Sequence, residues 1–474
     1  MFISFSLFLG IYRIFSLSTY SVTCFDVGVV AFYILALKRI FWDGEVLEFP
    51  RSIGFYCVCA MVLAVFLSAS APILEGDATK QVQFLKTSLH FLYLVMFSIL
   101  CAGLKISSLD WKRTVQLIMI CAIVVNIFGI YQLLARAMDL PLAWLNISDI
   151  TLSSTTRGVS IEDIQTDSEG ITRQISLSYG SFYRATSVFS EPSAFAGFCN
   201  LILVCLFVPV IRNGKPFVNS KNFNIILTIL TVVSLFLTFS LTGLVLFLGI
   251  VGFAFVTDRS KNIIKILKII GLVAVVLFIT DLIVEAATGI SVGGLFTQRV
   301  GGIVSKYTGG RIETTGGESF FTRVGTLSKA VEIWLVYPVT GIGAGCYFTF
   351  MRSAEFGFSD SGVFAVLAET GTIGVLIFIG IFAGLYREFK RFLFTDLYQK
   401  LQTDTKLMVL FALYNLLLNS ISSITANTFV TSYFWLEIGL TLTIIAVAYR
   451  ECSLPMFRLQ IMRTPLKTLL SGAK

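Results

Sequence analysis

The sequence predicts an all-α integral membrane protein that crosses the bilayer many times. Of its 474 residues, 56% are hydrophobic and only 14% are charged, whereas soluble domains carry about 25% charged residues. Phe occurs 44 times and His once. Such a chain has too little polar surface to enclose its apolar side chains in water, so lipid has to be part of its solvent.

Twelve apolar runs approach the roughly 20 residues that a membrane-spanning helix needs. They fall near 2–17, 22–41, 52–71, 82–104, 113–135, 191–211, 223–240, 241–257, 263–285, 361–386, 406–426 and 429–449. The seventh and eighth runs meet near Ser240. The first run contains Arg13 and lacks a basic leader, so it is interpreted as a span and not as a cleaved signal.

The chain has a net charge of +8, and the positions of its Lys and Arg residues predict how the spans are oriented in the membrane. Lys and Arg cluster in alternate short connections and in the C-terminal tail, which the positive-inside rule places in the cytoplasm together with both termini. No aromatic-interleaved basic patch suggests nucleic acid. The chain 1–474 is therefore predicted to be a single membrane-embedded domain with two long outer loops, 136–190 and 286–360.

The second outer loop contains two stretches with helical apolar spacing, separated by a glycine-rich hinge at 309–317. They are predicted to be amphipathic helices at the membrane surface. Arg299 follows Phe296 by three residues, and Arg323 follows Phe320 in the same way. These arginines either snorkel to phospholipid headgroups or clamp a lipid-linked phosphate.

The densest polar motif is Arg184-Ala-Thr-Ser-Val-Phe-Ser-Glu-Pro-Ser193. Pro192 suits the first turn of a helix, with Ser190 or Glu191 as its N-cap. The positive end of that helix beside Arg184 would form an anion site. The alternative is simple capping by Glu191, with Arg184 as its ion-pair partner.

Two further motifs follow in the C-terminal half. The glycines at 341, 343 and 345 allow the backbone to approach a neighbour closely, but they match no dinucleotide fingerprint, and the chain has no P-loop. Asp360 and Glu369 border the next span. On a continuous helix they would face opposite sides, so Glu369 is expected to pair inside the bundle and Asp360 to act as a base near water.

Together these motifs resemble the bacterial O-antigen polymerase and ligase superfamily, that is, Wzy-type polysaccharide polymerases and their ligase relatives. The matching segments are Arg184 with Ser187–Ser193, Arg323 with Pro338–Gly345, and Leu367–Gly374. The resemblance implies an inverting, metal-independent glycosyltransferase of the bacterial inner membrane. It would transfer a glycan from a polyprenyl pyrophosphate, such as undecaprenyl pyrophosphate, to a lipid-linked repeat unit on the periplasmic side. The implied partners are lipid-linked oligosaccharides, membrane lipid and a chain-length regulator protein, with no cofactor and no nucleic acid.

The resemblance also implies roles for individual residues. Pyrophosphate would bind to Arg184, Arg299, Arg323 and, on the hinge, Arg311. The catalytic base would be Asp360, with Glu191 as the second candidate. Structural roles fall to Glu369, Pro192, Gly341, Gly343 and Gly345. Ligase relatives carry a His-Asn pair where this chain has Asp360 and Ser361, which favours a polymerase over a ligase.

A secondary transporter or glycolipid flippase is the alternative from another class, because twelve helices with both termini inside are common there. Lys86 and His90, one turn apart in the fourth span, would form a proton relay in a transporter. The favoured explanation is a snorkelling lysine near the outer boundary and a histidine bonded within the bundle. The absence of an internal sequence repeat weighs against transport.

Overall fold

The computed structural model describes residues 13–17, 20–145, 178–179, 182–212, 214–257, 263–307, 318–351, 361–426, 429, 431–462 and 467. This part of the chain is mainly helical, which agrees with the predicted all-α class. Its helices are α1 (Cys24–Leu37), α2 (Ile53–Leu67), α3 (Ser70–Glu75), α4 (Ala78–Gly103), α5 (Ser108–Met138), α6 (Pro192–Ile211), α7 (Lys221–Leu237), α8 (Leu241–Thr257), α9 (Ile263–Thr288), α10 (Val292–Tyr307), α11 (Glu318–Val336), α12 (Tyr347–Met351), α13 (Gly362–Leu393), α14 (Leu397–Lys400), α15 (Thr403–Thr425) and α16 (Ser432–Glu451). The strands are β1 (Arg13–Leu17), β2 (Tyr20–Thr23), β3 (Leu47–Pro50), β4 (Ser178–Tyr179), β5 (Phe182–Tyr183) and β6 (Met456–Leu459).

Eight helices in the described part are long and apolar enough to cross a membrane. They are Ile53–Glu75, Ala78–Gly103, Ser108–Met138, Pro192–Ile211, Ile263–Ala286, Gly362–Leu393, Thr403–Thr425 and Tyr433–Glu451. Two shorter apolar helices, Lys221–Leu237 and Leu241–Val256, occupy the seventh and eighth predicted runs. The structure thus supports a polytopic membrane protein, while the total of twelve spans and their orientation stay predictions.

Large apolar side chains on the outer faces of these helices indicate the lipid contact. On α9, Ile264 and Phe278 are each 65% exposed. Phe195 and Ile202 of α6 are fully buried by comparison. A soluble protein rarely leaves such continuous apolar faces in water, so lipid is the expected neighbour of α9.

The described chain forms two compact units. The first contains the residues up to Ile118 and those from Val331 onward. In it α13 packs against α2, and α16 packs against α4 and α15. Glycines permit the α2–α13 contact, because a Cβ on Gly384 would lie 2.4 Å from the backbone nitrogen of Gly54.

The second unit contains the described residues from Met119 to Ala330. Here α6 packs against α7 and α8, and α9 against α7. Asn126 of α5 links these helices through buried polar contacts. Its amide donates to the Thr231 hydroxyl (3.0 Å), and its backbone carbonyl accepts from Ser234 (3.4 Å).

The chain start differs from the helix that its composition predicted over 2–17. Strand β1 pairs antiparallel with β2, with Leu17 opposite Tyr20. The prediction of a helical span is therefore wrong over Arg13–Leu17. Ile, Phe, Tyr and Val favour extended backbone, which accounts for a strand in an apolar stretch of this composition.

Candidate functional site

Two of the arginines singled out in the sequence meet at the C-terminal end of α7. Arg184 donates from Nε to the Thr238 carbonyl (3.0 Å) and from Nη2 to the Phe239 carbonyl (3.4 Å). Arg299 of α10 donates from Nη1 to the same Phe239 carbonyl (3.1 Å). The two guanidinium groups are therefore within two hydrogen-bond lengths of each other.

The C-terminal end of α7 attracts cations, as helix C-termini do in general. The last carbonyls of a helix have no partner within it and carry the negative end of its dipole. Phe239 turns the chain away with a φ of 48°, and Ser240 begins the next helix by accepting from the backbone N–H of Gly243 (3.2 Å). The arginine side chains thus bind carbonyls that the helix itself leaves open.

The segment carrying Arg184 is fixed on both sides. The N–H of Ala185 donates to the Leu237 carbonyl (2.9 Å), and the Ser187 hydroxyl donates to the Val125 carbonyl (2.6 Å). Ser187 has a φ of 50°, a left-handed conformation that is costly for serine. Gly129 leaves room for this turn, because a Cβ there would lie 3.3 Å from the Cβ of Ser187.

The first turns of α6 and α8 pack against each other in the same unit. Glu191 is the N-cap of α6, and Pro192 occupies its first turn, which confirms the predicted helix start. Gly243 of α8 is tightly packed, because a Cβ there would lie only 2.5 Å from the Cβ of Ala196. The amide of Asn200 ties the two helices by donating to the carbonyls of Ala196 and Gly243, each at 2.9 Å. Two helix N-termini therefore add their positive dipole ends to this unit.

An aromatic cluster adjoins the two arginines. The ring of Phe239 lies 4.4 Å from that of Phe296 and 6.1 Å from that of Phe182, measured between centroids. The guanidinium of Arg299 lies 5.5 Å from the Phe239 ring centroid, a cation–π geometry. The site thus combines two cations with a cluster of aromatic rings.

A third arginine, for which the sequence predicts no role, contacts the backbone of Arg184. Arg136, in the last turn of α5, is only 5% exposed. Its Nη1 donates to the backbone carbonyl of Arg184, and its Nη2 donates to the hydroxyl of Thr186 (2.7 Å). Arg136 lies just past the predicted span end at residue 135, and nothing in the sequence distinguishes it from an arginine at a membrane boundary.

The other predicted site residues are placed only in part. The carboxylate of Glu191 accepts from the hydroxyl of Ser193. Arg323 falls within α11, but its side chain lies outside the described structure. Arg311 and Asp360 lie outside the described residues altogether. The structure therefore brings together Arg184 and Arg299, and it does not test the remaining assignments.

The three motif glycines lie in the first unit, in the loop between α11 and α12. Gly341, Gly343 and Gly345 have φ angles of 75°, 101° and 75°. A Cβ on Gly341 would lie 2.3 Å from the backbone of Glu369, and one on Gly343 would lie 2.6 Å from Pro72. Gly341 therefore permits a close approach to the backbone of α13, and Gly343 leaves room for a side chain of α3.

The loop fills a break in α13, where the apolar run at 361–386 predicts one continuous helix. Gly371 has φ 67° and ψ −166°, which interrupts the helix. The N–H groups of Ile342 and Gly343 donate to the carbonyls of Ala368 and Glu369, both at 3.0 Å. In return the N–H of Thr372 donates to the Pro338 carbonyl (2.9 Å). The loop thus supplies the backbone partners that a broken helix inside a membrane requires.

Buried and paired groups surround this loop. Glu369 of α13 is buried, at 6% exposure. Burial, and next the negative charge of Glu369, raise the pKa of the Cys346 thiol to about 12. The Tyr337 hydroxyl donates to the carboxylate of Glu75 (3.0 Å), and this hydrogen bond raises the pKa of Tyr337. Glu75 also forms an ion pair with Lys80.

In the described part of the chain, no group of three or more His, Cys, Asp or Glu side chains lies close enough to hold a metal ion.

No protein-family model matches the chain, and no curated protein matches it significantly in sequence.

Proposed function

We propose that the chain is a polysaccharide polymerase, an inverting glycosyltransferase that uses glycans linked to a polyprenyl pyrophosphate. The observation that carries this proposal is the convergence of Arg184 and Arg299 on the carbonyl oxygen of Phe239. The site would face the periplasm of a bacterial inner membrane, as the positive-inside distribution of Lys and Arg favours.

The ligand class follows from the chemistry of this place. Two guanidinium groups within two hydrogen-bond lengths match two linked phosphates, because each planar fork can bind phosphate oxygens bidentately. Phe296 of the ring cluster beside them is partly exposed and offers an apolar surface to the first isoprene units, and the buried rings of Phe182 and Phe239 support it from below. A polyprenyl pyrophosphate combines the two properties in one molecule.

The proposed reaction is a single displacement at the anomeric carbon of the donor glycan. An acceptor hydroxyl attacks that carbon, a carboxylate takes the hydroxyl proton, and the bond to the pyrophosphate oxygen breaks with its electron pair. The arginines stabilise the charge that develops on the leaving oxygen. Asp360 is the first candidate for the base and Glu191 the second.

A ligase that moves finished glycan onto another acceptor is the alternative within the same chemistry. The resemblance favours the polymerase, because Asp360 and Ser361 stand where ligase relatives carry a His-Asn pair. The single histidine, His90, lies within α4 beside Tyr93, with ring centroids 6.2 Å apart.

A transporter or flippase is supported by a different observation, the interruption of α13 at Gly371. Discontinuous helices are common at the substrate sites of secondary transporters. Here the break is filled by the loop at 338–343, whose backbone binds the exposed carbonyls. That arrangement accounts for the break as a packing device, so we give it second place.

The chain-length profile of surface polysaccharide tests the proposal. Cells that lack the gene would be complemented with the wild-type chain, Arg184→Ala, Arg299→Ala or the control Arg387→Ala. Arg387 is an exposed arginine of α13 in the first unit, and so it matches the substitution without touching the site. Membrane levels of each variant would be compared by immunoblot.

The proposed function predicts a ladder of chain lengths with the wild type and Arg387→Ala, and a single repeat unit attached to its acceptor with the other two variants. Long lipid-linked chains without attached glycan would instead indicate a ligase. An unchanged ladder in the deletion strain would contradict glycosyl transfer and favour transport.

A further inference from the structure

Arg136 is a buried cation that donates hydrogen bonds to three acceptors in the described part of the chain. Besides the Arg184 carbonyl and the Thr186 hydroxyl, it donates from Nε to the Ala143 carbonyl (3.0 Å). Its guanidinium also lies 5.3 Å from the ring centroid of Trp144. A buried charge is tolerated only where such partners replace water, so the position is specific for a guanidinium.

These contacts join three pieces of chain. Arg136 belongs to α5, Ala143 to the turn after it, and Arg184 and Thr186 to the segment that carries the site. The link to α5 is doubled, because the hydroxyl of Thr186 also donates to the side-chain oxygen of Gln132 (3.2 Å). Arg136 thus fixes the backbone from which the Arg184 side chain extends.

We infer that Arg136 is a positioning residue that gives the site its selectivity for a diphosphate over a monophosphate. The inference rests on the proposed function, in which Arg184 and Arg299 each bind one phosphate. Arg299 is held from a different helix, α10, and keeps its place when Arg136 changes. Loss of Arg136 therefore weakens the phosphate contact of Arg184 and leaves that of Arg299.

The single ammonium of lysine cannot reach three acceptors on two segments. Arg136→Lys should therefore lower the affinity for undecaprenyl diphosphate about tenfold, the effect of about one charge-assisted hydrogen bond. The affinity for undecaprenyl monophosphate should change less than about twofold. A general loss of structure would weaken both ligands alike.

The experiment measures both affinities for the purified full-length chain in nanodiscs, for wild type, Arg136→Lys, Arg184→Ala and the double variant. If Arg136 acts through Arg184, the double variant binds diphosphate no more weakly than Arg184→Ala. Thr186→Val, which removes one acceptor of Arg136, should give a smaller loss in the same direction. Thr186→Val is used in place of Arg136→Lys if the lysine variant does not elute as a single folded species in gel filtration.

Equal losses for both lipids, or effects that multiply in the double variant, would overturn the inference. The inference would also be overturned if Arg136→Lys bound diphosphate as tightly as the wild type while Arg184→Ala bound it weakly. That outcome would leave the proposed function standing. Unchanged diphosphate affinity in Arg184→Ala would instead overturn the proposed function, and with it the inference that depends on it.

Discussion

Arg184 and Arg299 donate to one and the same backbone oxygen, the carbonyl of Phe239. They reach it from distant parts of the chain, one from the loop before α6 and one from the surface of α10. Like charges at such a separation repel each other, and the negative end of the α7 dipole offsets part of that repulsion. A bound dianion would add to that compensation, which is why this pair is the centre of the proposed site.

Lysine should not replace either arginine. Arg184→Lys and Arg299→Lys keep the charge but lose the planar fork, so each should lower the rate of glycan polymerisation about 10²-fold, nearly as much as alanine. The rate would be measured with purified protein and lipid-linked repeat units. Arg387→Lys serves as the control. Full activity of the lysine variants would show that the site needs only two positive charges and not the planar guanidinium groups.

The two candidate bases can be separated by neutral isosteres. Substitution of the true base, by Asp360→Asn or Glu191→Gln, should lower kcat by about 10²–10⁴-fold with little change in KM, because proton transfer belongs to the chemical step. The other substitution should leave kcat within about threefold. Similar small effects of both would show that neither carboxylate accepts the proton.

Alanine at Gly341 or Gly371 should prevent correct packing of the first unit. Each has a positive φ, and each Cβ would lie 2.3 Å from opposing backbone. We expect a loss of at least about 2 kcal/mol in the free energy of unfolding. Thermal unfolding in detergent would measure it, with Gly271→Ala as the control.

Gly271 lies in α9 with nothing within 4 Å of its would-be Cβ. Alanine there should be neutral or stabilising by about 0.5–1 kcal/mol, because glycine is a poor helix former. Equal stability of the control and the Gly341 and Gly371 variants would refute the packing that the structure describes around the break.

The Cys346 thiol should make stability fall at alkaline pH. Burial raises its pKa from 9.0 to about 12 in the folded chain. The folded state therefore holds a proton that the unfolded state releases, and this contribution is complete below pH 9 and is lost as the pH rises towards 12. The Tm of the wild type should drop more than that of Cys346→Ala between about pH 8 and about pH 11. Parallel Tm curves would show that the thiol titrates normally.

Much of the helix pattern could be predicted from sequence, because apolar runs of membrane length leave few alternatives. The start of α6 was predictable from Pro192. The boundary between the seventh and eighth apolar runs was predictable from the polar residues near Ser240. The strand at Arg13–Leu17 was not, since an apolar run of that length fits a helix or a strand equally well. The break at Gly371 was also hidden, because glycine is common in continuous membrane helices.

The candidate site could be predicted only as separate residues. Helical position placed Arg299 at the border of an apolar stripe, but nothing in the sequence indicated that Arg184 would contact the same carbonyl. Their meeting depends on the turn at Phe239, whose left-handed φ is uncommon for phenylalanine. The burial of Arg136 was unpredictable for a similar reason, because it depends on partners in the segment that carries Arg184, 48 residues away in the chain.

The most direct test of the account is polymerisation by the purified full-length chain in liposomes. The substrate would be a repeat unit on undecaprenyl pyrophosphate, which serves as both donor and acceptor, and the products would be separated by length. The account predicts a ladder of lipid-linked oligomers with release of undecaprenyl pyrophosphate, and none of either with Arg184→Ala. Repeat units that remain monomeric with the wild type, while moving across the bilayer, would contradict it.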